Sequence, residues 1–137
     1  MIQKVNRFSL QEFFSRLSPS ETTEAVRNAD LQLCLYELWA RLNIIRAILG
    51  KPIIINSWYR DEQHNARVGG SPTSQHLRGQ AVDIKAPDAT LQELLTAISK
   101  SIEILNLEYG QIIVYRNQKF IHISLPTSKH SNEFLYK

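Results

Sequence analysis

Cysteine is almost missing from this chain of 137 residues: Cys34 stands alone, so no internal disulfide can staple the fold. It lies in Leu31-Gln-Leu-Cys-Leu-Tyr36, an apolar helical stretch where a thiol serves packing rather than nucleophilic attack. No apolar run approaches the about 18 residues of a membrane-spanning helix. Residues 1–9 lack a basic region followed by an apolar run and a small-residue cleavage site, so synthesis in the cytoplasm without a secretion leader is expected. Repeats, low-complexity tracts and linkers are absent too, and the length suits one domain over residues 1–137. Charge of one sign hardly accumulates: 16 Lys and Arg face 13 Asp and Glu, a net +3 scattered along the chain. With no basic helix and no aromatic platform, neither nucleic acid nor membrane is an expected partner.

What is present is ordinary soluble-domain material, 43% apolar and 21% charged, with readable punctuation. Ser9-Leu-Gln-Glu12 is a capping box for a short helix ending near Leu17, and Ser18-Pro19-Ser20-Glu21 repeats that grammar with Pro at the first helical position. Asp30 can cap a longer helix through Leu49. Its leucines and Ile45 recur at three- and four-residue steps until Gly50 and Pro52 stop it. Thr90-Leu-Gln-Glu93 opens another helix to about Leu105. Strands are expected over Ile53–Asn56 (central), Gln80–Lys85, Gln111–Tyr115 and Lys119–Leu125, the last two joined by a hairpin at 116–118. Alternation puts Ala81, Asp83 and Lys85 on one face and Val82 and Ile84 on the other. It likewise sets Phe120, His122 and Ser124 against Ile121, Ile123 and Leu125. The expected fold is α+β, a small antiparallel sheet backed by N-terminal and central helices.

Three residue types in this pattern carry chemistry. His76 and Asp83 stand seven positions apart around Gly79, and His122 follows on a late strand. Two imidazoles and a carboxylate can hold one zinc ion and leave its fourth position for water, the ligand count of a catalytic site. Spacing alone leaves another reading open, in which His76 is a surface loop residue, Asp83 a strand-end ion pair and His122 a satisfied core histidine. Arg60, just past a strand, offers a planar fork to a carboxylate or developing oxyanion, or else pairs with Asp61 or Glu62. Ser74 either bonds near the metal or closes its loop. Tyr59 and Trp58 either wall a cleft or pack in the core. His64, in a short helix over 61–67, reads as a surface residue rather than a ligand.

Ser57-Trp-Tyr-Arg60, Asn65-Ala-Arg-Val-Gly-Gly70, Ser74-Gln-His-Leu-Arg-Gly-Gln-Ala-Val-Asp-Ile84 and Phe120-Ile-His-Ile-Ser124 occur in that order. Together they resemble the zinc D-alanyl-D-alanine carboxypeptidase family. The nearest branch is its small, often phage-associated, carboxypeptidase A-type C-terminal domains, which share the hedgehog-like zinc fold. The resemblance runs from about Phe8 to Leu125. It implies one zinc ion held by His76, Asp83 and His122, with Arg60 lining the cleft and Ser74 and Tyr59 near substrate. It further implies a monomer hydrolysing peptidoglycan stem peptides as a D,D-carboxypeptidase or L,D-type endopeptidase. Release to the wall at phage lysis, carriage in a virion and trimming of recycled wall fragments all suit such an enzyme.

One departure stands out. Relatives often carry an acidic general base three residues before the last histidine or on the preceding strand. Here those places hold Lys119 and Tyr115, and residues 111–118 contain no Asp or Glu. Losing a general base typically costs about 10²–10⁴-fold in rate. Three routes stay open: Glu103, Glu108 or another carboxylate reaches in; Tyr115 or Lys119 carries the proton at a strongly lowered pKa; or the site is a weak or inactive zinc-containing wall-binding module.

Overall fold

Each helix begins where a side chain can close its first turn. The structure, a computed structural model, describes residues 9–137. In α2 (Pro19–Arg27) the Ser18 hydroxyl accepts from the Glu21 amide while the Glu21 carboxylate accepts from the Ser18 amide. Thr90 and Glu93 do the same for α5 (Leu91–Leu105). Ser9 and Glu12 bracket a shorter helix than expected, α1 (Gln11–Phe14), which stops before Leu17. The long helix α3 (Ala29–Leu49) is capped by Asn28 rather than Asp30. The Asn28 carboxamide oxygen accepts from the Asp30 and Leu31 amides. Asn28 also terminates α2, so one residue turns the chain between two helices and Asp30 falls inside the first turn.

Five strands form one sheet in the order β1-β2-β4-β3-β5. They are β1 (Ile54–Ser57), β2 (Ala81–Lys85), β3 (Gln111–Tyr115), β4 (Phe120–Ser124) and β5 (Glu133–Tyr136). The run expected to be central is an edge: β1 pairs with β2 alone, and the Arg16 side chain donates to the Ile55 carbonyl at 3.0 Å. The expected antiparallel sheet is mixed as well. Residues beyond Leu125, for which the sequence offered no assignment, return to lay β5 parallel along the free edge of β3. The Glu133 amide donates to the Gly110 carbonyl and the Lys137 amide to the Val114 carbonyl. The class remains α+β.

Face assignment follows the alternation. Val82, Ile84, Ile112, Val114, Ile121 and Ile123 are buried with Leu38, Leu42 and Ile45 of α3 and Leu94 and Ile98 of α5. The opposite face, carrying Asp83, His122 and Ile113 in register across three strands, stays free of helices α3 and α5 and forms the floor of a cleft. Among the described residues no helix is long and apolar enough to cross a membrane.

The cap assignment separates two neighbouring substitutions. Asn28→Ala is expected to cost about 1 kcal/mol in urea unfolding. Asp30→Ala, which loses only a charge near a helix start, should cost less, about 0.3–1 kcal/mol. The reverse order would return the cap to Asp30.

Candidate metal centre

Asp83 sits in the middle of β2, where the antiparallel register places it opposite His122 on β4 and Ser57 on β1. Two residues of β1 span one step of β2 between Ile55 and Ser57, an irregularity at the strand exit just before Trp58. The third residue comes from a 3₁₀ turn, Gln75–Arg78, opened by the Ser74 hydroxyl, which accepts from the His76 amide at 3.2 Å. Gly79 closes that turn at φ +68°, and a Cβ there would lie 2.8 Å from the Leu31 Cδ2. Trp58, buried against Phe13, locks the turn from beneath. Its indole N–H donates to the Gly79 carbonyl at 2.8 Å, and its own carbonyl accepts from His76 Nδ1.

That last bond decides the chemistry of His76. A carbonyl can only accept, so Nδ1 carries the proton and Nε2 presents a bare lone pair. Nε2 lies 3.1 Å from Asp83 Oδ1, and His122 Nδ1 lies 2.9 Å from the same oxygen. An unprotonated nitrogen facing a carboxylate at that distance is repulsive unless a cation lies between them. Burial holds His76 below the usual histidine range, which favours the neutral ring. For Asp83 burial alone pushes the carboxyl up, but the hydrogen bond from His122 leads the opposing effects, its charge among them. They hold it well below the usual carboxylate range. Neutral imidazole and ionised carboxylate are the protonation states a metal requires. The three ligand atoms lie within 4.8 Å of one another. Donor atoms around a tetrahedral zinc at about 2.0–2.2 Å stand roughly 3.3–3.5 Å apart, so the trio fits an ion with small adjustments. His76, Asp83 and His122 could hold a metal ion.

The cleft above them has a volume of about 860 Å³. Ser74 and Arg60 line it. Arg60 is buried, its amide donates to the His76 carbonyl, and its Nε has no hydrogen-bond partner among the described residues. Burial pulls its pKa below the usual arginine value while Asp83, Tyr115 and Glu21 act the other way. Asp61 caps the short helix α4 (Glu62–Arg67) by accepting from the His64 amide. Gly70 makes room for the guanidinium: a Cβ there would lie 2.1 Å from Asn65 Oδ1 and 3.1 Å from Arg60 Nη1. Tyr59 packs against Trp58 at 6.3 Å and is not among the cleft-lining residues.

A family model described as peptidase M15 matches residues 6–124. The chain belongs to the peptidase M15 family. A comparison with curated proteins finds no match. M15 peptidases are zinc dependent, in keeping with the donor set found here. The M15 match ends at Ser124, so β5 lies beyond it.

Around the M15 site the acidic base is missing in space as it is in sequence. Asp83 is the only carboxylate among the described residues that line the cleft. Glu103 and Glu108 are exposed and line no part of it. Tyr115 does, stacked on Phe120 at 4.4 Å, but burial and Asp83 push its phenol up. That opposes the lowering a proton-accepting role requires. Sequence reading missed several cleft residues. Ile113 and Gln111 were available from the β3 alternation. Neither His130 nor Leu135 had a signal, because nothing marked β5 as returning.

The shifts of His76 and Asp83 have a common sign. Both folded values are depressed, so the unfolded chain binds more protons as pH falls and stability falls with it. Metal-free protein is expected to lose thermal stability on acidification, first below about pH 6.5 from His76 and again below about pH 4 from Asp83. A melting temperature that is flat or rising from pH 7 to pH 5 would contradict the buried neutral histidine.

Proposed function

We propose that this M15 domain is a zinc metallopeptidase that hydrolyses peptidoglycan stem peptides. The observation that carries the reading is the unprotonated Nε2 of His76 facing the ionised Asp83 across 3.1 Å, a pairing that calls for a cation. His76 Nε2, Asp83 Oδ1 and His122 Nδ1 would hold zinc, which when bound polarises a carbonyl and acidifies water.

The chain's own residues do the rest. The buried Arg60 guanidinium, with an unused Nε, presents a planar donor to the carboxylate of a stem peptide or to an oxyanion as it develops. Ser74 holds the turn that aims His76, and the Trp58 carbonyl fixes the tautomer. Tyr115, kept as a hydroxyl, donates to substrate in the same cleft as Arg60. The cleft volume is enough for several residues of peptide. The protein acts as a monomer in this reading, and whether it cuts a D,D or an L,D bond is set by what the walls admit.

A second reading is favoured by one observation, the lack of any lining carboxylate besides Asp83. In it the domain keeps its zinc and binds wall peptide without turning it over.

Purified protein is expected to carry about one zinc per chain and to release new amino termini from stem peptides. His76→Ala should lose both, and Arg60→Ala should keep the metal while slowing turnover about 10²–10³-fold. Unchanged cleavage by a metal-free His76→Ala protein rejects the peptidase reading. Pull-down on cell wall with no new amino termini, from fully zinc-loaded protein, selects the second.

A further inference from the structure

The cleft that lacks a second carboxylate contains a carboxylate–imidazole pair one layer back. Glu21 on α2 is buried, and its carboxylate is fully engaged: Oε1 accepts from the Ser18 amide, and Oε2 accepts from the Asp61 amide and from His64 Nδ1, both at 2.9 Å. Burial by itself pushes that carboxyl up, but these backbone donors and His64 bring it below the usual glutamate value, so it is ionised at neutral pH. An ionised carboxylate only accepts, hence His64 Nδ1 carries a proton and the lone pair of the neutral ring is on Nε2. The ring is about a quarter exposed and lines the same cleft as Asp83 and Arg60. Capping fixes its backbone as well, since the Asp61 side chain accepts from the His64 amide at 2.8 Å.

We propose that His64, oriented by the buried Glu21, is the proton-transfer group of this cleft and stands in for the absent acidic base. The proposal rests on the peptidase reading above. In the forward step a proton passes from water to His64 Nε2 as the water oxygen bonds to the scissile carbonyl carbon. The imidazolium then returns that proton to the amide nitrogen as the C–N bond breaks, giving an amine and a carboxylic acid that ionises to solvent. Glu21 is a positioning residue: it sets the tautomer and stabilises the transient imidazolium.

Two rivals in the cleft are weaker for stated reasons. Tyr115 is pushed up by burial and by Asp83, away from the range of a base. His130 also has a carboxylate on Nδ1, that of Glu133 at 2.9 Å, but both partners are about a third or more exposed and the acid is shared with Gln111. Water screens that pair, whereas Glu21 is shielded. His64 bonds to Glu21 from α2 and to Asp61 from its own cap, and Arg60 from the preceding segment interacts with Glu21.

The test has a spectroscopic arm and a kinetic arm, both on full-length, zinc-loaded protein. Nitrogen-15 imidazole spectra are expected to show His64 protonated at Nδ1, and Glu21→Ala should shift it toward the Nε2–H form. On a stem-peptide substrate, His64→Gln should lower kcat about 10²–10⁴-fold with KM and zinc content unchanged, and free imidazole should partly restore His64→Ala. Glu21→Ala should lose kcat without being rescued by imidazole. A wild-type His64 protonated at Nε2, or a His64→Gln protein turning over within threefold of wild type, overturns the proposal while leaving the peptidase reading intact. Zinc-loaded wild type that cleaves nothing takes down both.

Discussion

The site depends on one confrontation: a lone pair of His76 held toward a negative oxygen of Asp83 with only 3.1 Å between them. Nothing local to either residue would choose that arrangement. It is imposed from two directions, by the β2–β4 register that sets Asp83 beside His122 and by the Trp58 carbonyl that captures the far nitrogen of His76. A register slip of one residue would carry Asp83 and His122 onto the face now filled by aliphatic side chains and α3. Packing of Val82, Ile84, Ile121 and Ile123 against the helices therefore stabilises the sheet and also fixes which residues meet the cation.

The same logic extends to the walls. Arg60 is buried without using its Nε, and the chain makes space for it through Gly70, where any side chain would collide with Asn65. A positive group with a free Nε in the same cleft as a metal-binding trio that includes Asp83 sets up a field between Arg60 and Asp83. Glu21 adds a third charge behind the wall, bonded to the cleft-lining His64.

Much of this was legible in the sequence because the information is local. Capping boxes at Ser18 and Thr90 state where α2 and α5 begin, and alternation in two strands assigned the opposed faces of Asp83 and His122. Where the reading failed, the deciding contact was remote or depended on a competitor nearby. Asn28 and Asp30 are both good caps, and the choice went to the residue that could end one helix while starting the next. The β-branched run before Ser57 looked central because it is apolar on both sides, yet its outer edge is covered by Arg16, some forty residues away in sequence. Glu21 read as half of a capping box and nothing more. Its second oxygen is committed to Asp61 and His64, and such a partnership leaves no trace in spacing.

The parallel strand β5 has an effect on how this molecule can diversify. It contributes Leu135 to the cleft, with His130 just before it and Lys137 just after, yet it hangs on the outer edge of β3, separated from Asp83 on β2 by two intervening strands. Part of the cleft wall thus comes from a stretch of polypeptide that carries none of the three candidate metal ligands. A change of side chain at Leu135 or Lys137 would recolour the cleft while the candidate metal centre on β2, β4 and the 3₁₀ turn keeps its geometry.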